Sequence, residues 1–337
     1  MPGGEANRSS ASDSAAPPRF TVVLVNHNGK DWTVRALDSL PGQQGVPFEV
    51  IVVDSGSSDG SPEDVEAWIG RHPEVAALLL RFDQNIGFAA GCNRALERAR
   101  GEVIFLLNND AELTAGVLAR VDEVLQQHPE AGSVMCSMRF LDDPNTINST
   151  GIHAFWDGSA IDRHWKMPLT ANPPAVNHVL GPCGGAAAWR REVIDRVGFL
   201  NEEYFMYSED VDMALRAQRA GFACMYVPDA VVLHKGGASA ARRPQRELMA
   251  ISYRNTLLTL QRNLPAGARL RGLAMFVVRS LTGVVKIGVA DPVLRARAVA
   301  YWLRHRARIA GERRAIRALG DDSRVLRWLH LTQDYDP

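Results

Sequence analysis

The stretch FEVIVVDSGSSDGS, residues 48–61, changes character halfway. Its first seven residues are mostly apolar and rich in β-branched types, and the next seven are all Ser, Gly or Asp. A run of this kind bounded by turn formers reads as a buried strand that breaks into a loop and opens a helix. Three further runs have the same build: FTVVLVN (20–26), VAALLLRF (75–82) and VIFLLNND (103–110), with starts about 28 residues apart. Helical patterns lie between them near 31–40, 62–70 and 88–100. Strands and helices alternating at this spacing predict successive βα units and a mostly parallel sheet covered by helices on both faces.

In such a sheet, ligands bind beyond the carboxyl ends of the strands. The residues there are NHNG (26–29), DSGSSDGS (54–61), DQNIGFAAGCN (83–93) and NND (108–110). Taken singly, each is an ordinary turn or helix-start sequence. Four of them on one rim make a polar site. Asp54 can accept hydrogen bonds from a base or ribose, and Asn108-Asn109-Asp110 offers the hard oxygen ligands that suit Mg²⁺ or Mn²⁺ shared with phosphates. His234 follows a strand-like VPDAVVLH (227–234) and, by position alone, reads as a loop residue. Neither GxxxxGK[ST] nor GxGxxG is present, so a P-loop enzyme and a dinucleotide-binding domain lack support.

FMYSEDVDMALRAQRAG (205–221) sets three acids at the head of a helix that ends at Gly221. With Ser208 as N-cap, acids in the first turn suit the helix dipole. Asp212 has Arg216 four residues on, an ordinary i,i+4 pair. Asp210 faces only Met213, Ala214 and Ala217, and so needs another explanation.

The 337 residues are 46% hydrophobic and 23% charged, the balance of a soluble globular protein of one large or two modest domains. Four scattered cysteines without CxxC spacing indicate neither a zinc cage nor a disulfide framework, and a cytoplasmic, reducing compartment is expected. MPGGEANRSSASDSAAPP has no apolar h-region, and 1–18 reads as a disordered leader. The zero formal charge hides an asymmetry: residues 1–241 hold 19 Lys+Arg against 31 Asp+Glu, whereas 242–337 hold 19 against 7. This places a boundary near Ala241 and leaves a basic C-terminal extension. Within it, 272–293 is apolar but carries Arg279 and Lys286 on one helical face. Val299, Trp302, Leu303, Ile309 and Ile316 form a stripe that Arg306 interrupts. Packing of these helices on the first domain and docking on an anionic membrane surface, as a peripheral protein on the inner face of the cytoplasmic membrane, are the two leading readings. Nucleic acid is not expected, and oligomeric state is left open.

VVDSGSSDGS, NIGFAAGCN, FLLNNDAEL, GPCGGAAAWRREVIDRVGFLNEEYFMYSEDVDMALRAQRAG and VLHKGGAS, in this order over roughly 20–240, resemble glycosyltransferase family 2. Its members are inverting nucleotide-sugar enzymes of the GT-A fold, with a Rossmann-like sheet. The resemblance implies a catalytic domain over 19–241 and a helical extension over 242–337. It implies Asp210 as catalytic base with Glu209 as its orienting neighbour. Asn26, Asp54, Ser55, Asn85, Gly87, Asn93, Asn108 and Asn109 would bind the nucleotide sugar. Asp110 and His234 would hold Mg²⁺ or Mn²⁺, and Gly184, Gly185 and Tyr207 would lie on the acceptor side. Two positions depart from the pattern: Asn108 stands where many relatives have a first Asp, and Ser55 where Asn is usual. The long motif is similar to bacterial rhamnosyltransferases of cell-envelope glycan synthesis, which implies dTDP-rhamnose as a candidate donor and a glycan or lipid-linked acceptor. The processive QxxRW motif is absent, which favours addition of one sugar. Asp212 reads as structural, so that Asp212→Asn is expected to keep most activity. The competing readings are an inactive nucleotide-sugar-binding or membrane scaffold, and a sugar nucleotidyltransferase, which would need a Gly-rich loop where NHNGKDW stands.

Overall fold

The computed structural model describes residues 17–236, 244–287 and 290–330, with the side chains of 280–291 left out. The expected leader, apart from its last two residues, and the 241/242 boundary fall outside the described residues. The first half follows the βα pattern: β1 (Phe20–Asn26), α1 (Lys30–Asp38), β2 (Phe48–Ser55), α2 (Ser61–Arg71), β3 (Ala76–Phe82), α3 (Phe88–Leu96) and β4 (Val103–Leu107). β5 (Ala111–Leu113), α4 (Val117–Gln127) and β6 (Ala131–Phe140) follow, then the short β7 (Ile147–Ser149), β8 (Ile152–Phe155), β9 (Ala160–Asp162) and β10 (Asn177–Val179). β11 (Ala186–Arg190), α5 (Arg191–Val197), α6 (Glu209–Ala220) and β12 (Ala223–His234) complete the sheet region.

The main sheet has the order β10-β12-β6-β11-β4-β1-β2-β3. β3, β2, β1, β4, β6 and β12 run one way, and β11 and β10 run against them. Burial on both faces explains the apolar runs. Val22, Leu24, Val50 and Val52 pack with Leu37, Trp68 and Val121 of α1, α2 and α4. Their alternates Val23, Ile51 and Val53 pack with Cys92, Ile194 and Met213 of α3, α5 and α6. This is the expected sheet covered on both sides. β12 starts earlier than VPDAVVLH suggests, and its pairing with β6 slips between Val227 and Val231, where Pro228 removes a ladder donor.

The extension forms α7 (Gln245–Asn263), α8 (Ala266–Ile287), α9 (Ala290–Arg317), α10 (Ser323–Leu326) and β13 (Leu329–His330). Leu257, Leu260, Phe276 and Ala298 share one apolar cluster with Ile152, Leu180, Val211 and Leu215. Of the stripe on α9, Ile309 and Ile316 are buried, while Leu303 stays 44% exposed and Arg306 points outward. Arg279 pairs with the buried Asp157. The Lys286 side chain lies outside the described residues. No described helix is long and apolar enough to cross a membrane.

Candidate functional site

The floor of the site is the buried Asn26 at the end of β1. Register sets it opposite Asp54. Its amide donates to Asp54 Oδ2 (2.9 Å) and Ser61 Oγ (2.8 Å), and its Oδ1 accepts from Thr33 Oγ1 (2.7 Å) and Asn109 Nδ2 (2.9 Å). Asp54 Oδ1 in turn accepts from the Ser57 N–H at 3.0 Å. Both Asp54 oxygens therefore shape the 54–61 loop, and Asn26 and Asp54 lie beneath the cleft lining. Ser55 reaches the rim: its Oγ accepts from the Ile86 N–H (2.8 Å), while Asn85 Oδ1 accepts from the Gly87 N–H (3.0 Å). Gly87 has φ +84, and a Cβ there would lie 2.5 Å from the Phe205 ring, so this loop can approach so closely only as glycine. Asn93 points elsewhere and ties α3 to the Leu200 carbonyl (2.9 Å) and Glu202 (3.0 Å).

Beyond β4, pairing of β5 with β12 sets Ala111 opposite His234, which brings Asp110 to that histidine. Asp110 Oδ1 and His234 Nε2 lie 3.0 Å apart, although 124 residues separate them in sequence. His234 Nδ1 lies 2.9 Å from Asn148 Oδ1. With Nδ1 donating there, Nε2 carries a lone pair, which accepts from Asn108 Nδ2 at 3.2 Å. That lone pair also faces a carboxylate oxygen, a contact that a cation would relieve. The contact distance suits adjacent ligands of one octahedral ion, which at bonds of about 2.1 Å stand roughly 3 Å apart. Among the described residues no group of three or more His, Cys, Asp or Glu gathers to hold a metal. Asp110 and His234 would fit an ion that takes its remaining coordination from water and phosphates, the ordinary habit of Mg²⁺.

α6 brings the acids in from the other side. The turn before it holds Phe205, Tyr207 and Ser208 at φ 65, 68 and 67, a left-handed conformation that costs such residues about 1–3 kcal/mol each. Ser208 occupies the N-cap position but makes no side-chain cap bond, because its backbone is left-handed rather than extended. The turn is held by Asn255 of α7, whose buried amide donates to the carbonyls of Tyr204 (3.0 Å), Met206 (2.8 Å) and Tyr207 (2.7 Å). Asp210 Oδ2 accepts from the Gly184 N–H (3.0 Å), Oδ1 from the Val211 N–H (2.8 Å), and no basic side chain among the described residues pairs with it. Burial, with the charge of Asp162 added, pushes Asp210 up to about 6 against the pull of those amides. Glu209 is buried, its Oε2 has no partner among the described residues, and burial followed by the Asp210 charge pushes its carboxyl well above the usual range.

Asp212 is not an ordinary surface pair. It is fully buried and accepts from Arg216 Nε (2.9 Å), Arg262 Nε (3.0 Å) and Asn263 Nδ2 (2.7 Å), and the two guanidiniums hold its carboxyl far below the usual range. Most of α6 is buried, so Asp212, Arg216 and Gln218 need partners of this kind, whereas Glu209 Oε2 lacks one among the described residues.

These groups surround one cleft of about 1020 Å³. Ser55, Asn85, Gly87, Asn108, Asn109, Asp110 and His234 line it. Gly184, Gly185, Tyr207, Glu209 and Asp210 line the same cleft, with the Gly185 carbonyl accepting from the Asn108 N–H at 3.0 Å. Asn26, Asp54 and Asn93 are not among the lining residues. Sequence reasoning passed over Asn148, Asp162, Trp165 and Lys166, which also line the cleft, and Asn255, which supports it. The missed signal was Trp156-Asp157-Gly158 between IHAF and SAID, a three-residue hairpin loop with Gly158 in the left-handed position.

The family model described as Glycosyl transferase family 2 matches residues 21–198. The chain is 29% identical over 255 residues to the N-acetylglucosaminyl-diphospho-decaprenol L-rhamnosyltransferase of Mycobacterium tuberculosis, covering 68% of this chain and 80% of that one. It is 26% identical over 234 residues to the O-antigen biosynthesis protein RfbC of Myxococcus xanthus, covering 66% of this chain and 18% of that protein. Among solved structures it is similar to a Pyrobaculum calidifontis mannosyltransferase in complex with GDP-Man and Mn²⁺, with a TM-score of 0.54, 21% identity, and coverage of 94% and 89% of the two chains. It is also similar to S. aureus TarS 1–349 in complex with UDP-GlcNAc, with a TM-score of 0.57, 16% identity, and coverage of 92% and 90%. The structural likenesses show the GT-A architecture, and the family match supplies the chemistry: the chain belongs to glycosyltransferase family 2.

Proposed function

We propose that this glycosyltransferase moves one sugar, with L-rhamnose from dTDP-rhamnose as the leading donor, to a hydroxyl of a lipid-linked glycan with inversion at the anomeric carbon. Asp210 takes the acceptor proton as the acceptor oxygen bonds to the anomeric carbon, while the bond to the donor diphosphate breaks and the diphosphate leaves with its electron pair. The observation that carries this reading is Asp210 itself: a partly buried carboxylate held by two amides, raised toward neutrality, without a cation, on the same cleft as Asp110 and His234. When bound, a divalent ion on Asp110 and His234 would neutralise charge on the departing diphosphate. Ser55, Asn85 and Asn109 stand where the nucleotide would lie, and Asn26 and Asp54 fix the loop that meets it.

The rhamnosyl and lipid-linked parts rest on the Mycobacterium tuberculosis relative, an L-rhamnosyltransferase acting on N-acetylglucosaminyl-diphospho-decaprenol. The excess of 19 basic over 7 acidic residues in 242–337, with Leu270 and Val277 exposed on α8, supports docking of that extension on an anionic bilayer. A panel of nucleotide diphosphate sugars, tested for thermal stabilisation and for transfer to N-acetylglucosamine on an alkyl diphosphate with Mn²⁺, tests the proposal. Stabilisation by dTDP-rhamnose above the other donors, with transfer, is expected. Equal stabilisation by every donor without transfer to this acceptor would overturn the donor and acceptor assignments.

A further inference from the structure

The β8–β9 hairpin and the turn after it form a wall of the cleft that the reaction outlined above does not use. Trp165 lines the cleft with 51% of its surface exposed. A tryptophan left in water forgoes the burial for which such a ring is normally retained, so its place at a cleft mouth calls for a ligand. The turn that presents it is built rather than loose. His164 and Lys166 on either side have φ 60 and 62, left-handed for residues with a Cβ. The Lys166 N–H donates to the Ile147 carbonyl (2.9 Å) and the Ile147 N–H to the Met167 carbonyl (2.8 Å), which clamps the turn to β7. At the hairpin's far end, Gly158 (φ +83) packs so tightly on α7 that a Cβ would lie 2.7 Å from Leu260 Cβ and from the Thr256 carbonyl. Backbone strain of this kind persists where surrounding structure holds it, commonly at ligand sites.

The charges are also uneven. Asp110, Asp162, Glu209 and Asp210 line the cleft, and Lys166 is the one Lys or Arg among its described lining residues. Its Nζ lies 4.4 Å from the centre of the Trp165 ring. Ring and cation together match a sugar whose apolar C–H face stacks on an aromatic while its phosphate meets an ammonium. Topology places the pair away from the nucleotide end. Ser55 and Asn85 belong to the β2 and β3 loops, whereas the hairpin hangs from β7 at β6, across β11 and β4. Leu248, Met249 and Tyr253 of α7 also line the cleft and give it a largely apolar patch.

We infer that Trp165 and Lys166 form the acceptor subsite, with the ring carrying the first sugar, Lys166 holding its linking phosphate and the α7 side chains receiving the start of the lipid. The inference rests on the lipid-linked acceptor proposed above. The test is calorimetric binding, which needs no turnover, of two probes in vesicle-free solution: N-acetylglucosamine on a short-chain alkyl diphosphate, and the same sugar as a neutral alkyl glycoside. Lys166→Gln should weaken the diphosphate probe roughly tenfold and leave the neutral glycoside within twofold. Trp165→Ala should weaken both by about three- to tenfold. Affinity for the nucleotide sugar should stay within twofold of wild type in both variants, with thermal midpoints unchanged. Acceptor affinities unmoved by either variant would overturn the inference. So would a fall in donor affinity in Lys166→Gln, since the lysine would then serve the donor diphosphate, and so would a wild-type protein that binds donor but neither probe. Failure of the donor reading is separate, for it would appear as loss of nucleotide-sugar binding in the wild type.

Discussion

Replacing Asn255, which does not itself line the cleft, with leucine, which is close in size, should loosen the turn that aims Asp210. The amide donates to three carbonyls, but they do not depend on it equally. The Tyr204 carbonyl keeps the Arg254 Nη2 donor at 3.0 Å and the Met206 N–H at 2.7 Å. The Met206 and Tyr207 carbonyls lose the donor that Asn255 supplies at 2.8 and 2.7 Å. Losing these two part-buried bonds costs about 0.5–1.5 kcal/mol each. The left-handed Phe205, Tyr207 and Ser208 store strain that those bonds hold in place, so the turn can recover part of this cost by relaxing, and a net loss of roughly 1–2 kcal/mol follows. Relaxation moves the start of α6. A displacement on the order of 1 Å at a reacting group can lower the rate about 100-fold. Urea unfolding and single-turnover transfer would be measured together, with donor affinity as a control. The expected result is a lower midpoint and a kcat reduced by one to two orders of magnitude at nearly constant donor affinity. A variant as stable and as fast as wild type would refute the reasoning, because the strained turn would then need no support from α7.

Three other outcomes follow from the site. Asp212→Asn should cost about 3–5 kcal/mol by leaving Arg216 and Arg262 buried without their carboxylate, so thermal denaturation should show a large fall in place of the near-normal protein the sequence suggested. Because the Asp212 carboxyl is depressed, its contribution is present above the usual carboxylate range and is lost only as pH falls through its lower folded value. Excess EDTA should abolish transfer and Mn²⁺ should restore it, while Asp110→Ala should weaken donor binding chiefly when metal is supplied; full turnover in EDTA would remove the ion from the account. Asp210 and Glu209 titrate as a pair, and Asp210 is pushed up to about 6, so kcat/KM should fall as pH drops through that region, whereas a profile flat down to pH 5 would exclude the raised carboxyl as the base.

The β1–β4 half was legible because strands buried on both faces must be apolar throughout and must end in polar loops, and those runs fill residues 20–110. The other half was not. β7, β9 and β10 have three residues each, too few to show a period, and β6, AGSVMCSMRF, opens with small residues and carries one β-branched residue, Val134. The acids of 209–212 could be found but not told apart from sequence. Asp212 is fixed by Arg262 and Asn263, which lie about fifty residues further on and reach it only through the packing of α7. Asp54 was visible as a carboxylate at a strand end; that both its oxygens are taken by Asn26 and Ser57 depends on the fold of the loop. Trp165 and Lys166 carry no local pattern that marks them, since their exposure over the cleft depends on the clamp between their turn and β7.

The most direct test of Asp210 as the base is single-turnover sugar transfer by Asp210→Asn, alongside donor affinity and thermal stability. The amide keeps the size of the side chain and can still accept from the Gly184 N–H, but it cannot take a proton at neutral pH. Asp210 is raised in the folded state, so its ionised form opposes folding above the ordinary carboxylate pKa, and Asn should leave stability at pH 7 equal or higher. Transfer should fall about 100- to 10,000-fold with donor binding intact. A variant that keeps more than roughly a tenth of wild-type transfer contradicts the account, because the loss of a general base costs far more than that.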